Sequence, residues 1–416
     1  MVEKLILPNG VRVLHQQLDH IRSCALGVWV ESGSRHEPEN LCGISHFIEH
    51  MLFKGTETYS AAQLAEEFDG MGGQVNAFTT KEHTCFYGRT LDTHVQHLAE
   101  LLCDMYLRSR FAKEDTDLER GVILEEIGMY EDTPEDLVSE QLMQQVFPGS
   151  ALARPILGYK ETLKAMTHTD IADYCRSSYS GKNTIISLCG SFSQEDLDYI
   201  CRLFGEMQPG EALQQDAPTY QPAFVLKKKD IEQNHLILLF PSLPLGSTDR
   251  FTLQVLNNLL GAGMSSRLFQ RVREQSGLCY TIYSFNSLYA DVGVLGVYVA
   301  LGKETEHQAL ALIREELLRL CKDGISDAEL LRSKEQLKTG LLMGMESTIS
   351  RMNAMARNEM TYGRHITEDE LTAGTDAVTA EAVRDLACRL LDFSKASFSA
   401  VGQVDTEAAY RKTLGM

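Results

Sequence analysis

Several classes of protein are excluded by what the sequence lacks. No run of about 18 apolar residues occurs, so no helical membrane span is expected. The opening "MVEKLILPNGVRVLHQQ" has no basic start before an apolar core and no Arg/Ser-rich amphipathic leader, so a cytoplasmic chain is expected. Positive charge is scarce: 39 Lys and Arg against 58 Asp and Glu leave a net charge of −19, which argues against nucleic acid or an anionic membrane as partner. The ten cysteines form no CxxC pair and sit mostly inside apolar stretches such as "RSCALGVWV" and "IISLCGS". They read as small buried hydrophobes in a reducing compartment, not as disulfides or zinc thiolates.

What is present points to a duplicated fold. A chain of 416 residues is too long for one ordinary core, and two domains of about 200 residues are the default. The stretch 208–222 gathers Pro, Gly, Gln and Asp without an apolar period and reads as a linker between domains 1–207 and 223–416. Both sides share one order of elements. "VRVLHQQ" and "SCALGVWVESG" precede a helix containing His46, as "FVLKKKD" and "NHLILLFPSL" precede "FTLQVLNNLLGAG". Near the ends, "THTDIADYCRSSYSGKNTIISLCGSF" and "TAEAVRDLACRLLDFSKASFSAVGQV" each give a helix, a loop and a strand closed by glycine. Grouped strands alternating with period two beside amphipathic helices predict an α+β fold, two homologous domains each with a mainly antiparallel sheet packed with helices. The metal-like residues belong to the first half alone, since 251–301 contains no histidine.

The chemistry gathers at "CGISHFIEHMLF", residues 42–53. At about 100° per residue, Ile44, Phe47, Ile48, Met51 and Leu52 form an apolar helix face, and His46, Glu49 and His50 share the other. Imidazoles four apart on a helix can reach one ion, with the glutamate beside them to take a proton from water. A polar helix face is the bland alternative. A catalytic zinc needs a third protein ligand, and "EDTDLERGVILEEIGMYEDTP" offers Glu119, Glu125 and Glu126. Glu119 and Glu126 are two turns apart on one face, with Glu125 about 100° away, so periodicity nominates that face without choosing between the two. The glycine-rich "GAGMSSRLF" lacks the lysine of a phosphate loop and follows a helical pattern, which excludes nucleotide binding.

The order of these motifs resembles the pitrilysin/insulysin/mitochondrial-processing-peptidase metallopeptidases, whose inverted H-x-x-E-H signature stands here as "HFIEH". "GISHFIEHMLFKGTETYS", "GGQVNAFTTKEHTCFY", "LERGVILEEIGMYEDTP" and "GAGMSSRLFQRVREQSGLCYTIYS" continue the match over nearly the whole chain. The resemblance implies Zn2+ held by His46, His50 and Glu126, with Glu49 as catalytic base and Glu119 supporting the site from outside the ligand set. It implies that Gly72–Thr79 is a substrate-binding edge strand, with Gly73, Asn76, Ala77 and Phe78 on matching positions. Arg273 and Tyr280 match a pair that reaches the active site from the opposite domain. The short two-domain form implies one bowl-like half of a clamshell, and so a homodimer that encloses a peptide substrate. Two rival readings are a non-catalytic partner subunit and a peptide-binding module with purely structural zinc.

Overall fold

A computed structural model describes all 416 residues. The alternating segments form two sheets. The first holds β1 (Glu3–Ile6), β2 (Arg12–Gln17), β3 (Ser23–Val30), β4 (Gln74–Thr79), β5 (Thr84–Leu91) and β6 (Thr184–Gly190) in the order β1-β2-β6-β3-β5-β4. The second holds β7 (Phe224–Lys228), β8 (Asn234–Ser242), β9 (Thr281–Leu288), β10 (Gly293–Leu301) and β11 (Ser397–Gly402) in the order β7-β11-β8-β10-β9. Leaving out β1, the two orders correspond strand for strand. Only β2–β6 and β7–β11 pair in parallel, so both sheets are mainly antiparallel, as the alternating pattern predicts. No helix is long and apolar enough to cross a membrane.

The central strands are buried on both faces. Along β3, Cys24, Leu26, Val28 and Val30 enter one core, and Ala25 and Trp29 enter another. Along β10, Leu295, Val297, Val299 and Leu301 face one core, and Val294, Tyr298 and Ala300 the other. Each sheet therefore needs helices on two sides.

The helices that cover the second faces depart from the expected contiguous halves 1–207 and 223–416. Five helices matter here: α1 (Ile44–Leu52), α2 (Lys113–Asp132), α3 (Pro134–Val146), α4 (Arg250–Gly261) and α5 (Thr348–Tyr362). Helix α5, late in the sequence, buries Met352, Met355 and Ala356 against Trp29, Cys85 and Ile185 of the first sheet. Trp29 Nε1 lies 3.4 Å from Met352 Sδ. That sulfur occupies a notch over Gly27, where a Cβ would approach it to 2.3 Å. Helix α3, early in the sequence, buries Val138, Leu142 and Val146 against Ile237, Leu239 and Val401 of the second sheet. The compact units are accordingly Met1–Gly128 with Arg154–Asp216 and Met343–Ile366, and Met129–Ala153 with Ala217–Leu342 and Thr367–Met416. The divide between Asp216 and Ala217 falls inside the expected linker. The helix exchange does not follow from any apolar pattern, because such a pattern shows that a face is covered without showing by what.

Helix α1 is seated by burial and by its N-terminus. Ile44, Phe47, Ile48, Met51 and Leu52 are all buried in the core beneath the first sheet. Gly43 precedes the helix at φ 96°, and a Cβ there would lie 2.7 Å from the Leu157 carbonyl, so both conformation and space require glycine. The unpaired N–H groups of the first turn are met by the buried Glu37 carboxylate, whose Oε2 accepts from Gly43 N at 2.7 Å and whose Oε1 accepts from Ser45 N at 2.8 Å. Burial pushes the Glu37 carboxyl up to about 7, against the pull of these donors and of Arg154. Glu37→Gln keeps one acceptor and turns an amide N–H toward the other donor. Leaving that donor unsatisfied costs about 1–3 kcal/mol, and the expected outcome is a lower unfolding midpoint in urea. An unchanged midpoint would show that the double bond does not anchor α1.

Candidate metal centre

Two helices supply the donors. Because α1 buries its apolar side, His46, Glu49 and His50 face away from the core centre toward α2. Helix α2 buries Thr116, Glu119, Ile123 and Ile127, a spacing that fixes its inward face and holds Glu126 on the flank beside it. The imidazoles of His46 and His50 lie 4.6 Å apart between centroids. His46 Nε2 and His50 Nε2 are each 3.7 Å from Glu126 Oε2. All three ligand atoms lie within 4.8 Å of one another.

Zinc bonds of about 2.0–2.1 Å at tetrahedral angles place ligand atoms roughly 3.4 Å apart, so this donor set fits zinc with little adjustment. Two imidazoles and one carboxylate make three protein ligands, the count of a catalytic zinc and one short of a closed structural one. The protonation states agree. Burial, helped by the neighbouring His50, pushes His46 down to about 3, so it is neutral and its lone pair is free for a cation. His50 Nδ1 lies 2.7 Å from Glu119 Oε1. An ionised carboxylate can only accept, so Nδ1 carries the proton and Nε2 keeps its lone pair toward Glu126. Lys54 Nζ holds the other Glu119 oxygen at 2.6 Å. Periodicity left Glu119 and Glu126 open; here Glu126 faces both Nε2 atoms and Glu119 stands behind His50.

Glu49 is half-buried beside the ligands. Its Oε2 accepts a 2.5 Å hydrogen bond from Thr79 Oγ1. Burial raises its carboxyl above the ordinary carboxylate value, and the Thr79 hydroxyl pulls the other way. Thr79 ends β4, the edge strand of the first sheet, which pairs on one side with β5 from Gln74↔Arg89 to Thr79↔Thr84. Gly73 directly precedes this strand. Within it, Asn76 is exposed, and its Oδ1 accepts from Ala77 N at 2.8 Å. Ala77 packs toward the α1 core. Phe78 points to the other face, edge-on to Trp29 at 5.5 Å. Its ring is half-buried, packed against the Trp29 cluster.

Arg273 and Tyr280 belong to the second unit. Arg273 ends a wide π-type turn, Phe269–Glu274, and its guanidinium lies 4.7 Å over the Tyr280 ring and 4.6 Å over Phe269. Tyr280 is 74% exposed. The second unit also gathers Glu306, His307 and Asp405 at ligand spacing, a grouping that the histidine-free stretch 251–301 did not lead one to expect. Each already has protein partners: His307 bonds Asp405 and Thr413, and Glu306 accepts from Asn234 and Tyr410. Its members satisfy one another without an ion.

Sequence reasoning missed Lys54, Glu37 and the role of Thr79. Lys54 stands four residues after His50 and was visible as a neighbour on the same flank. Glu37 is six residues before Gly43, outside any local capping spacing, and Thr79 meets Glu49 only through the sheet.

Comparison with known proteins agrees with this geometry. Residues 12–160 match the family model described as insulinase (peptidase family M16), and residues 165–337 match the peptidase M16 inactive domain. An uncharacterized zinc protease of Bacillus subtilis is 41% identical over 407 residues, covering 97% of this chain and 100% of the relative. Another from Streptomyces coelicolor is 35% identical over 424 residues, covering 99% and 91%. Among solved structures, a peptidase M16 inactive domain from Pseudomonas fluorescens superposes with a TM-score of 0.91 at 19% identity, covering 97% and 99%, which speaks for the fold alone. A Helicobacter pylori protease gives 0.89 at 20%, with the same coverage. With the inverted His-Glu-His helix, the paired carboxylate helix and the doubled sheet all in place, the chain belongs to the M16 (insulinase) family of peptidases.

Proposed function

We propose that the protein is a zinc-dependent endopeptidase that cleaves unfolded peptides or presequence-like segments. The observation that carries this reading is the convergence of His46 Nε2, His50 Nε2 and a Glu126 carboxylate oxygen within 4.8 Å, with Glu49 beside them. The zinc-protease names of the relatives support it. Bound at these three side chains, zinc supplies Lewis acidity and brings the pKa of water towards ~7. Glu49 takes the proton from the attacking water and returns it to the leaving amine. The unpaired edge of β4 binds the peptide backbone as an added strand, which demands little of the substrate's sequence. Tyr280 donates to the developing oxyanion and Arg273 holds a substrate carbonyl.

We further propose a homodimer in which Arg273 and Tyr280 of one chain complete the site of the other. The exposure of Tyr280 and its fixed stacking under Arg273 support this part. A cytoplasmic setting accords with ten cysteines that form no disulfide. The assembled donor set disfavours a non-catalytic partner subunit, and the three-ligand count disfavours a structural zinc.

Glu49→Gln is expected to keep one zinc per chain and to lower peptide turnover by about 10²–10⁴-fold. Near-wild-type turnover would remove Glu49 from its role. Stripping metal with phenanthroline is expected to abolish cleavage, and added zinc to restore it. Co-expressed Glu49→Gln and Tyr280→Phe chains test the shared site. Half the dimers are mixed, each with one intact site, so about a quarter of wild-type activity should return. No recovery above the separate variants would place both residues of a site in one chain.

A further inference from the structure

The Glu49 carboxylate is not held by its own helix. The hydrogen bond that reaches it comes from the sheet. Its tether is the Thr79 hydroxyl, which donates to Oε2 at 2.5 Å. The direction of that bond is fixed by its surroundings. The neighbouring Thr84 hydroxyl, 3.5 Å from Thr79 Oγ1, gives its own proton to the Ser32 carbonyl at 2.9 Å. The Thr79 proton is thus left for Glu49, and an ionised carboxylate accepts it without competition. A glutamate has three rotatable bonds, and a base must sit within hydrogen-bond reach of the proton it takes. Fixing one oxygen from outside the helix leaves the second oxygen as the one presented to the reacting water.

Thr79 also closes β4, whose free edge is the candidate peptide-binding surface. Resting on the reading of Glu49 as base, we propose that Thr79 is the positioning residue for Glu49, joining peptide addition at the β4 edge to alignment of the proton acceptor. A peptide strand laid on β4 stiffens its last residue, and that residue holds the base. The geometry predicts a role in turnover and none in metal retention, because the Thr79 hydroxyl bonds Glu49 and not His46, His50 or Glu126.

The test compares Thr79→Val, which keeps shape and loses the hydroxyl, with Thr79→Ser, which keeps the hydroxyl. Glu49→Gln runs in parallel, all on the zinc-loaded full chain with a quenched fluorogenic peptide. Thr79→Val should lower kcat by about 10-fold, a part of the 10²–10⁴ that a general base contributes, with KM within about twofold. Thr79→Ser should recover most of the lost kcat. Zinc content should stay at one per chain in each, and binding of the same peptide to zinc-stripped Thr79→Val should match zinc-stripped wild type. Wild-type kcat in Thr79→Val beside an inactive Glu49→Gln would overturn the positioning role and leave the base in place. Equal losses in Thr79→Val and Thr79→Ser, or a loss confined to KM or zinc content, would show packing or binding instead. An active Glu49→Gln would overturn the base assignment itself, and this proposal with it.

Discussion

The seating of a nine-residue helix, Ile44–Leu52, decides whether the rest of the site exists. A helix this short does not hold its shape in water by itself. Its geometry comes from five buried apolar side chains on one side and from the Glu37 carboxylate at its N-terminus. Once that face is fixed, His46 and His50 turn toward α2 and Glu49 meets Thr79 of β4. Every distance at the metal centre follows from the depth and rotation of this helix. Glu119 and Lys54 then refine His50, and Thr79 refines Glu49.

Much of this was legible in the sequence, for identifiable reasons. The strands in "SCALGVWVESG" and "NHLILLFPSL" were read from grouped apolar segments of period two, and α1 from the split between its apolar and polar sides. Periodicity narrowed the third ligand to the Glu119/Glu126 face and stopped there, because the two lie nearly one above the other on α2. Distance separates them: Glu126 reaches both Nε2 atoms, whereas Glu119 reaches the far nitrogen of His50. Phe78 shows the opposite case. The resemblance placed it on the substrate strand, and it stands on edge strand β4, with its half-buried ring against Trp29, a packing that no local pattern announced. Contacts of high sequence separation, such as Thr79 with Glu49 or Met352 with Gly27, left no local trace.

The doubling of the fold separates scaffold from chemistry. Strand orders β2-β6-β3-β5-β4 and β7-β11-β8-β10-β9 place α1 and α4 at corresponding points in the chain. Helix α4 reads "RFTLQVLNNLLG" and offers no imidazole. The same architecture is thus built once with a helix bearing two histidines and once without, as expected when function resides in side chains grafted onto a fold. The second unit carries instead the stacked Arg273–Tyr280 pair, its arginine in a turn whose wide hydrogen bonding is often found at functional sites.

The exchange of α3 and α5 has a consequence for how the chain comes to be folded. Trp29 and Met352 meet across 323 residues of sequence. At a synthesis rate of about 5–20 residues per second, the Trp29 face waits roughly 15–65 s for its covering helix. Until Met352 is made, that sheet face of the first unit stays bare and apolar, the kind of surface that chaperones hold. The chain crosses between its units after Gly128, Ala153, Asp216, Leu342 and Ile366. Each unit is therefore assembled from three separate stretches, and the first, which carries the His46 helix, is complete only once the chain has reached Ile366.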